Sequence, residues 1–155
     1  MSPPLVLVVN GPNLGKLGTR EPEIYGTTTL AQLEEGLRAH AKRLGLAVDF
    51  FQSDVEDEIV GAVRKGGSRG AAAIMINPAA LTHFSHSLRE ALAATGVPVV
   101  EVHISNIHAR EPFRRLSLIS GVARGVICGL GVAGYGLALD AIAGMLGVPH
   151  DGARD

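Results

Sequence analysis

The sequence predicts an α/β fold built on a parallel sheet, and three observations carry that reading. Short apolar runs alternate with stretches of helical periodicity. Most of those runs are apolar at consecutive positions, as strands covered on both faces require. Glycine, proline and asparagine punctuate the chain between them. Residues 5–9, all leucine and valine, form the first strand. Over 28–44, Leu30, Leu33, Leu37 and Ala41 recur on one helical face, with Thr28 or Thr29 as the cap and Gly45 as the stop. Residues 46–52 form strand two, and Asp54 is placed to cap a helix running to about Lys65. Strand three spans 71–76, followed by a helix over about 82–94. Strand four spans 97–103, then comes an irregular segment with Pro112 and a short helix near 113–116. Strand five is 125–128 and the last helix 133–146. Right-handed crossovers between such strands give a doubly wound, flavodoxin-like five-stranded sheet of order 2-1-3-4-5.

The 155 residues suit one catalytic domain with a full core, spanning about 5–146, and the tail at 150–155 is expected to fray. Lys and Arg number 14 against 15 Asp and Glu, which leaves no electrostatic footprint for nucleic acid or an anionic membrane. Only 19% of residues are charged while 46% are hydrophobic. For so small a globule that is little charge, and other subunits are expected to cover part of the surface. A single cysteine, Cys128, excludes an internal disulfide and a cysteine-built zinc site, and is expected to be a buried, inert thiol. Pro3 and Pro4 lead straight into the first strand, without a basic segment and apolar core, so a cytoplasmic location is expected.

In a doubly wound sheet, ligands bind outside the carboxyl ends of the strands, where the strand order switches. The unusual polar residues fall there. Asn10 and Asn13 follow strand one, Asn77 and His83 follow strand three, and His103, Ser105, Asn106, His108 and Arg110 follow strand four. The loop over 11–26 carries Arg20 and Tyr25. A phenol ionises only near pH 10, but a guanidinium beside it favours the phenolate and makes a general base. The plainer alternative is a surface tyrosine with a solvated arginine. Glu101, His103 and Ser105 alternate, so they share one side of the sheet. A carboxylate accepting an imidazole N–H fixes its tautomer, as a general acid needs; a structural pair at a strand end would have the same spacing. Asn77 suits a hydroxyl-rich ligand, or is a turn residue before Pro78 with Thr82 as a helix cap. Arg110 and Arg114 border an irregular loop suited to an anion. The histidines lack zinc-site spacing with a carboxylate, the glycines form neither a dinucleotide fingerprint nor a Walker loop, and no lysine is placed for an imine. No metal and no cofactor are expected.

Several segments together resemble the type II 3-dehydroquinate dehydratases: Asn10-Gly11-Pro12-Asn13-Leu14, Arg20-Glu21-Pro22 with Tyr25-Gly26, Asn77-Pro78-Ala79, the run from Val100 to Arg110, and Cys128-Gly129-Leu130-Gly131. The resemblance covers about residues 5–146. It implies a flavodoxin-like hydro-lyase, working as a dodecamer of four trimers, that removes water from 3-dehydroquinate in the shikimate pathway without metal or imine. It further implies that Tyr25 is the base and Arg20 keeps it ionised. Asn13 would help hold a water on the enolate, and His103, oriented by Glu101, would be the acid. Asn77 and the backbone amides of Ile104 and Ser105 would bind the substrate carboxylate. His83 and Arg114 would bind ring hydroxyls, joined by Glu90 from a neighbouring subunit. The loop punctuated by Gly15, Gly18 and Gly26 would be a lid. Leu81 stands where the family usually has tyrosine, Glu90 where it usually has aspartate, and His86 is unusual in its helix and expected in solvent. The other reading is a non-catalytic flavodoxin-like module. A receiver of that fold needs clustered aspartates after strand one, and a flavin carrier a hydroxyl-rich phosphate loop; the chain has neither there.

Overall fold

Five parallel strands form one sheet in the order β2-β1-β3-β4-β5, as expected from the alternation of apolar and amphipathic segments. The structure, a computed structural model, describes residues 2–148, so the tail expected to fray lies outside the described residues. The strands are β1 (Leu5–Asn10), β2 (Ala47–Gln52), β3 (Ala73–Asn77), β4 (Val99–His103) and β5 (Gly125–Cys128). The helices are α1 (Pro22–Tyr25), α2 (Leu30–Arg43), α3 (Glu56–Ser68), α4 (His86–Thr95) and α5 (Ala133–Met145).

Because successive strand residues point to opposite faces, each strand feeds two cores. Val6, Val8, Met75, Val100 and Val102 pack with Leu33 and Leu37 of α2 and Leu139 and Ile142 of α5. Leu7, Val9, Ile74, Ile76 and Val99 pack with Ile59 and Val63 of α3 and Leu88 and Leu92 of α4. Central strands β1, β3 and β4 are buried nearly end to end, which is why their sequences lack the polar alternation of a one-sided sheet.

Capping decides where several helices begin. Thr29 accepts from the Gln32 N–H while Gln32 accepts from the Thr29 N–H, a reciprocal cap that starts α2. Two expected caps are corrected. Asp54 does not cap α3, whose cap position is Val55. Its carboxylate instead accepts from the Asn13 N–H at 2.9 Å and the Gln52 side chain at 3.1 Å, tying the loop after β1 to the end of β2. Nor does Thr82 start a helix: a 3-10 turn spans Ala79–His83, and Ser85 caps α4 by accepting from the Leu88 N–H. The irregular segment after β4 holds a short 3-10 helix, Pro112–Arg115, one residue earlier than the short helix expected there. Cys128 is partly exposed at the sheet edge, not buried. His86 faces solvent, as expected.

Gly11 is needed for the site that follows. Its N–H donates to the Asn77 carbonyl at 2.8 Å. A Cβ at Gly11 would sit 2.5 Å from the Pro78 carbonyl oxygen. Only glycine lets the chain ends of β1 and β3 lie this close.

Candidate active site

The carboxyl ends of β1, β3 and β4 open into a cavity of about 300 Å³. Asn13, Arg20 and Tyr25 reach it from the loop after β1, Asn77 and His83 from the segment after β3, and His103, Ile104, Ser105, Arg110 and Arg114 from the end of β4 and beyond. Residues scattered over a hundred positions converge because three adjacent strands run the same way and end at one edge. Among the described residues three non-glycine residues have left-handed backbone, Asn13, Glu21 and Ala79. All three line this cavity. Strain held at one place is a mark of a working site.

The loop over 11–26 closes one wall. Leu14 and Leu17 are buried in the α2–α5 core and pin it, while Arg20 and Glu21 remain exposed. Its far end is the single turn of α1, which presents Tyr25. The cation beside Tyr25 is a different one from that expected. Arg20 pairs with neighbouring Glu21 at 3.5 Å, both side chains being more than 40% exposed. The guanidinium at the Tyr25 hydroxyl belongs to Arg110, which donates to it at 2.9 Å and lies beside the ring. Arg110 also donates to the Ser105 hydroxyl at 3.3 Å, which fixes its fork over the end of β4. Sequence spacing favoured Arg20 because it is near in the chain; Arg110 is 85 residues away from Tyr25.

His103 and Glu101 do share a face, the one toward α3 and α4, and their side chains are hydrogen-bonded through His103 Nε2. Ser105, beyond the strand end, does not join them and faces Arg110 instead. Glu101 is fully buried. Its Oε2 also accepts from Thr82 at 2.8 Å and Ser117 at 2.9 Å, and its Oε1 from Ser120 at 2.6 Å. Burial pushes this carboxyl up, but the bonds from His103, Ser120 and Thr82 and the imidazole's charge outweigh it and hold the group below its ordinary range. The result is a carboxylate that stays ionised in the core and offers its charge to the imidazole. Ser117 and Ser120 were invisible to sequence reasoning, since nothing in the spacing of two serines between β4 and β5 marks them as partners of a carboxylate on β4.

Asn77 is buried at the last position of β3, its amide oxygen accepting from the Ala79 N–H at 3.1 Å. Outside the sheet ladder, the amides of Ile104 and Ser105 donate to no other group of the described residues, so two N–H donors flank the cavity beside Asn77. The His83 Nδ1–H donates to the Leu116 carbonyl at 2.6 Å, leaving Nε2 for a ligand, and its ring meets Phe113 edge-on. Arg114 is held by Glu111, a partner the sequence did not single out. Glu90 lies on the exposed face of α4, paired with Arg89 at 2.9 Å, and does not line this cavity. Leu81 is buried in the α3–α4 core, away from the cavity lining.

A cavity at the switch in strand order, with a tyrosine facing a guanidinium and an imidazole held by a buried carboxylate, defines a flavodoxin-like enzyme equipped to move protons. The family model for class II dehydroquinases matches residues 4–143. The 3-dehydroquinate dehydratase of Methylococcus capsulatus is 56% identical over 136 residues, covering 88% of this chain and 92% of that protein. That of Salinispora arenicola is 57% identical over 134 residues, covering 86% and 93%. The crystal structure of type II dehydroquinase from Propionibacterium acnes superposes with a TM-score of 0.87 at 45% identity, covering 90% of this chain and 96% of that one. That from Butyrivibrio crossotus gives a TM-score of 0.89 at 38% identity, covering 92% and 99%. The chain belongs to the class II dehydroquinase family and is a hydro-lyase.

Proposed function

We propose that the chain dehydrates 3-dehydroquinate to 3-dehydroshikimate by an enolate-type anti elimination. One observation carries the mechanism: the Tyr25 hydroxyl faces the Arg110 guanidinium in the same cavity that holds His103 on its buried Glu101. A proton next to a ketone is weakly acidic, so its removal needs a strong base and stabilisation of the forming oxyanion. Hydroxide leaves poorly and needs a proton from a second group.

Tyr25, as the phenolate whose charge Arg110 balances, takes the proton from C2, and the C–H electron pair moves into the enolate. A water held with the help of Asn13 hydrogen-bonds to the enolate oxygen. His103, protonated and oriented by Glu101, gives its proton to the C1 hydroxyl as the C1–O bond breaks. The enolate electrons form the C1–C2 double bond, the ketone is restored and water departs. Tyr25 is left carrying the C2 proton and His103 is left without its own, so a net proton transfer from Tyr25 to His103 through solvent resets both. The carboxylate of the substrate binds Asn77 and the Ile104 and Ser105 amides, and His83 and Arg114 take ring hydroxyls. Arg20, carried on the loop over 11–26, closes over the bound substrate.

The active form in this reading is a homo-oligomer, a dodecamer of four trimers, in the cytoplasm. Glu90 fits this reading: on this chain it lies outside the cavity lining, so the substrate contact proposed for it would come from a neighbouring subunit. Exposed Phe84, Phe113 and Leu116, each more than half accessible, supply an apolar rim for that neighbour.

Adding 3-dehydroquinate and following the ultraviolet absorbance of the conjugated enone tests the reaction. The absorbance is expected to rise with wild-type protein and to stay flat with Tyr25→Phe, which still binds substrate. A flat trace from folded, assembled wild type overturns the reading.

A further inference from the structure

We infer that Tyr135, a residue of α5 that never touches the cavity, is a positioning residue that sets the direction of the Asn77 amide and thereby the affinity for the substrate carboxylate. The inference rests on the carboxylate-binding role proposed for Asn77.

The geometry begins with the register of the sheet. Asn10 and Asn77 are paired neighbours, the last residues of β1 and β3. Alternation puts both side chains on the face where Val8 and Met75 point, toward α5. Tyr135 comes down from α5 onto this pair and is completely buried. Its hydroxyl donates to Asn10 Oδ1 at 2.6 Å and accepts from Asn77 Nδ2 at 2.9 Å.

The directions of these bonds follow from donor and acceptor rules. The Ala79 N–H can only donate, so the amide atom of Asn77 facing it must be the oxygen. Nδ2 then faces Tyr135, whose oxygen must accept, and the tyrosine proton must go elsewhere. Asn10 Oδ1 takes it. Burial pushes the Tyr135 hydroxyl above the range of a free phenol, so it keeps that proton at every working pH. One N–H of Asn77 is consumed in the core, and the second is left for the cavity that Asn77 lines. Neither Tyr135 nor Asn10 lines the cavity. Stability alone does not account for the arrangement: three buried polar side chains cost more than apolar ones of similar size, and Asn10 Nδ2 has no partner among the described residues.

Steady-state kinetics of the assembled enzyme with 3-dehydroquinate tests the inference. Tyr135→Phe removes one oxygen and leaves Asn77 with a donor facing an apolar ring. KM is expected to rise about tenfold with kcat changed less than about threefold, the cost of one buried hydrogen bond. Asn77→Ala is expected to raise KM further, and the double variant to match Asn77→Ala alone, because Tyr135 acts only through Asn77. Asn10→Ala, which removes the acceptor that draws the tyrosine proton away, is expected to raise KM in the same direction and serves where Tyr135→Phe fails to fold. A purely structural role would lower the melting temperature and leave KM unchanged, and that result overturns the inference. So does a Tyr135→Phe effect that adds in full to that of Asn77→Ala. If Asn77→Ala itself keeps a wild-type KM, the carboxylate assignment fails and this inference with it. If Asn77→Ala raises KM while Tyr135→Phe and Asn10→Ala do not, this inference alone fails.

Discussion

Two arginines reach the wall of the cavity where Tyr25 lies, and their partners separate their tasks. Arg110 donates to the Tyr25 hydroxyl and is braced by Ser105. Arg20 is exposed and turned to Glu21. The charge a base acquires is best balanced by a cation already in place. Arg110→Ala is therefore expected to lower kcat by about a hundredfold or more. Arg20→Ala is expected to raise KM more than it lowers kcat. Both parameters are measured on folded, assembled protein, and the reverse order would return the role to Arg20. Glu101 supplies a second case. All the groups facing it are donors, so Glu101→Gln turns an NH₂ against a hydroxyl or the imidazole. A kcat loss of about tenfold or more is expected, with a lower melting temperature, because the imidazole loses its anchor and its counter-charge.

At the scale of elements, the ends of strands carry the constraints. The loop after β1 is held by the Asn13 N–H on Asp54, by Leu14 and Leu17 in the core, and by the Gly11 N–H on the Asn77 carbonyl. Gly11→Ala must push β1 and β3 apart at their active ends. It is expected to lower activity sharply and stability by roughly 1–3 kcal/mol, the usual cost of overpacking, measured by urea unfolding and the enone assay together. Thr29→Ala removes the reciprocal cap of α2, at a residue outside the cavity lining. It is expected to cost about 1 kcal/mol while leaving kcat and KM unchanged, so it separates stability from activity.

For the whole molecule, the acid limb of stability follows from the carboxylates the fold holds down. Glu101 binds a proton less readily when folded than when unfolded, where its value is near 4.5. Its contribution is therefore full above that value and is lost as pH falls through the lower folded one. Asp54, lowered by the Asn13 N–H and Gln52, has the same sign. Melting temperatures are expected to fall steadily below about pH 4.5, and Asp54→Asn to flatten part of that slope. Assembly belongs to this scale too. Light scattering is expected to give a mass many times the 16.1 kDa of one chain, and Glu90→Ala to raise KM in the assembled enzyme without altering the fold.

Hydrophobic patterning determined much of this protein from sequence alone. Apolar runs too continuous for a half-exposed sheet imposed parallel strands covered on both sides, and crossover handedness then fixed their order. Chain position also told where Asn13, Tyr25, Asn77, His83 and His103 would gather, because parallel strands deliver their carboxyl ends to one edge. The partners of those residues were decided only by tertiary structure. Arg110 at Tyr25, Ser117 and Ser120 at Glu101, Asp54 at Asn13, and Tyr135 between Asn10 and Asn77 are contacts between side chains distant in sequence or set by strand register. Periodicity is a property of a segment, and a segment reveals its own conformation. A hydrogen bond depends on the relative placement of two segments, and that is settled when sheet and helices pack.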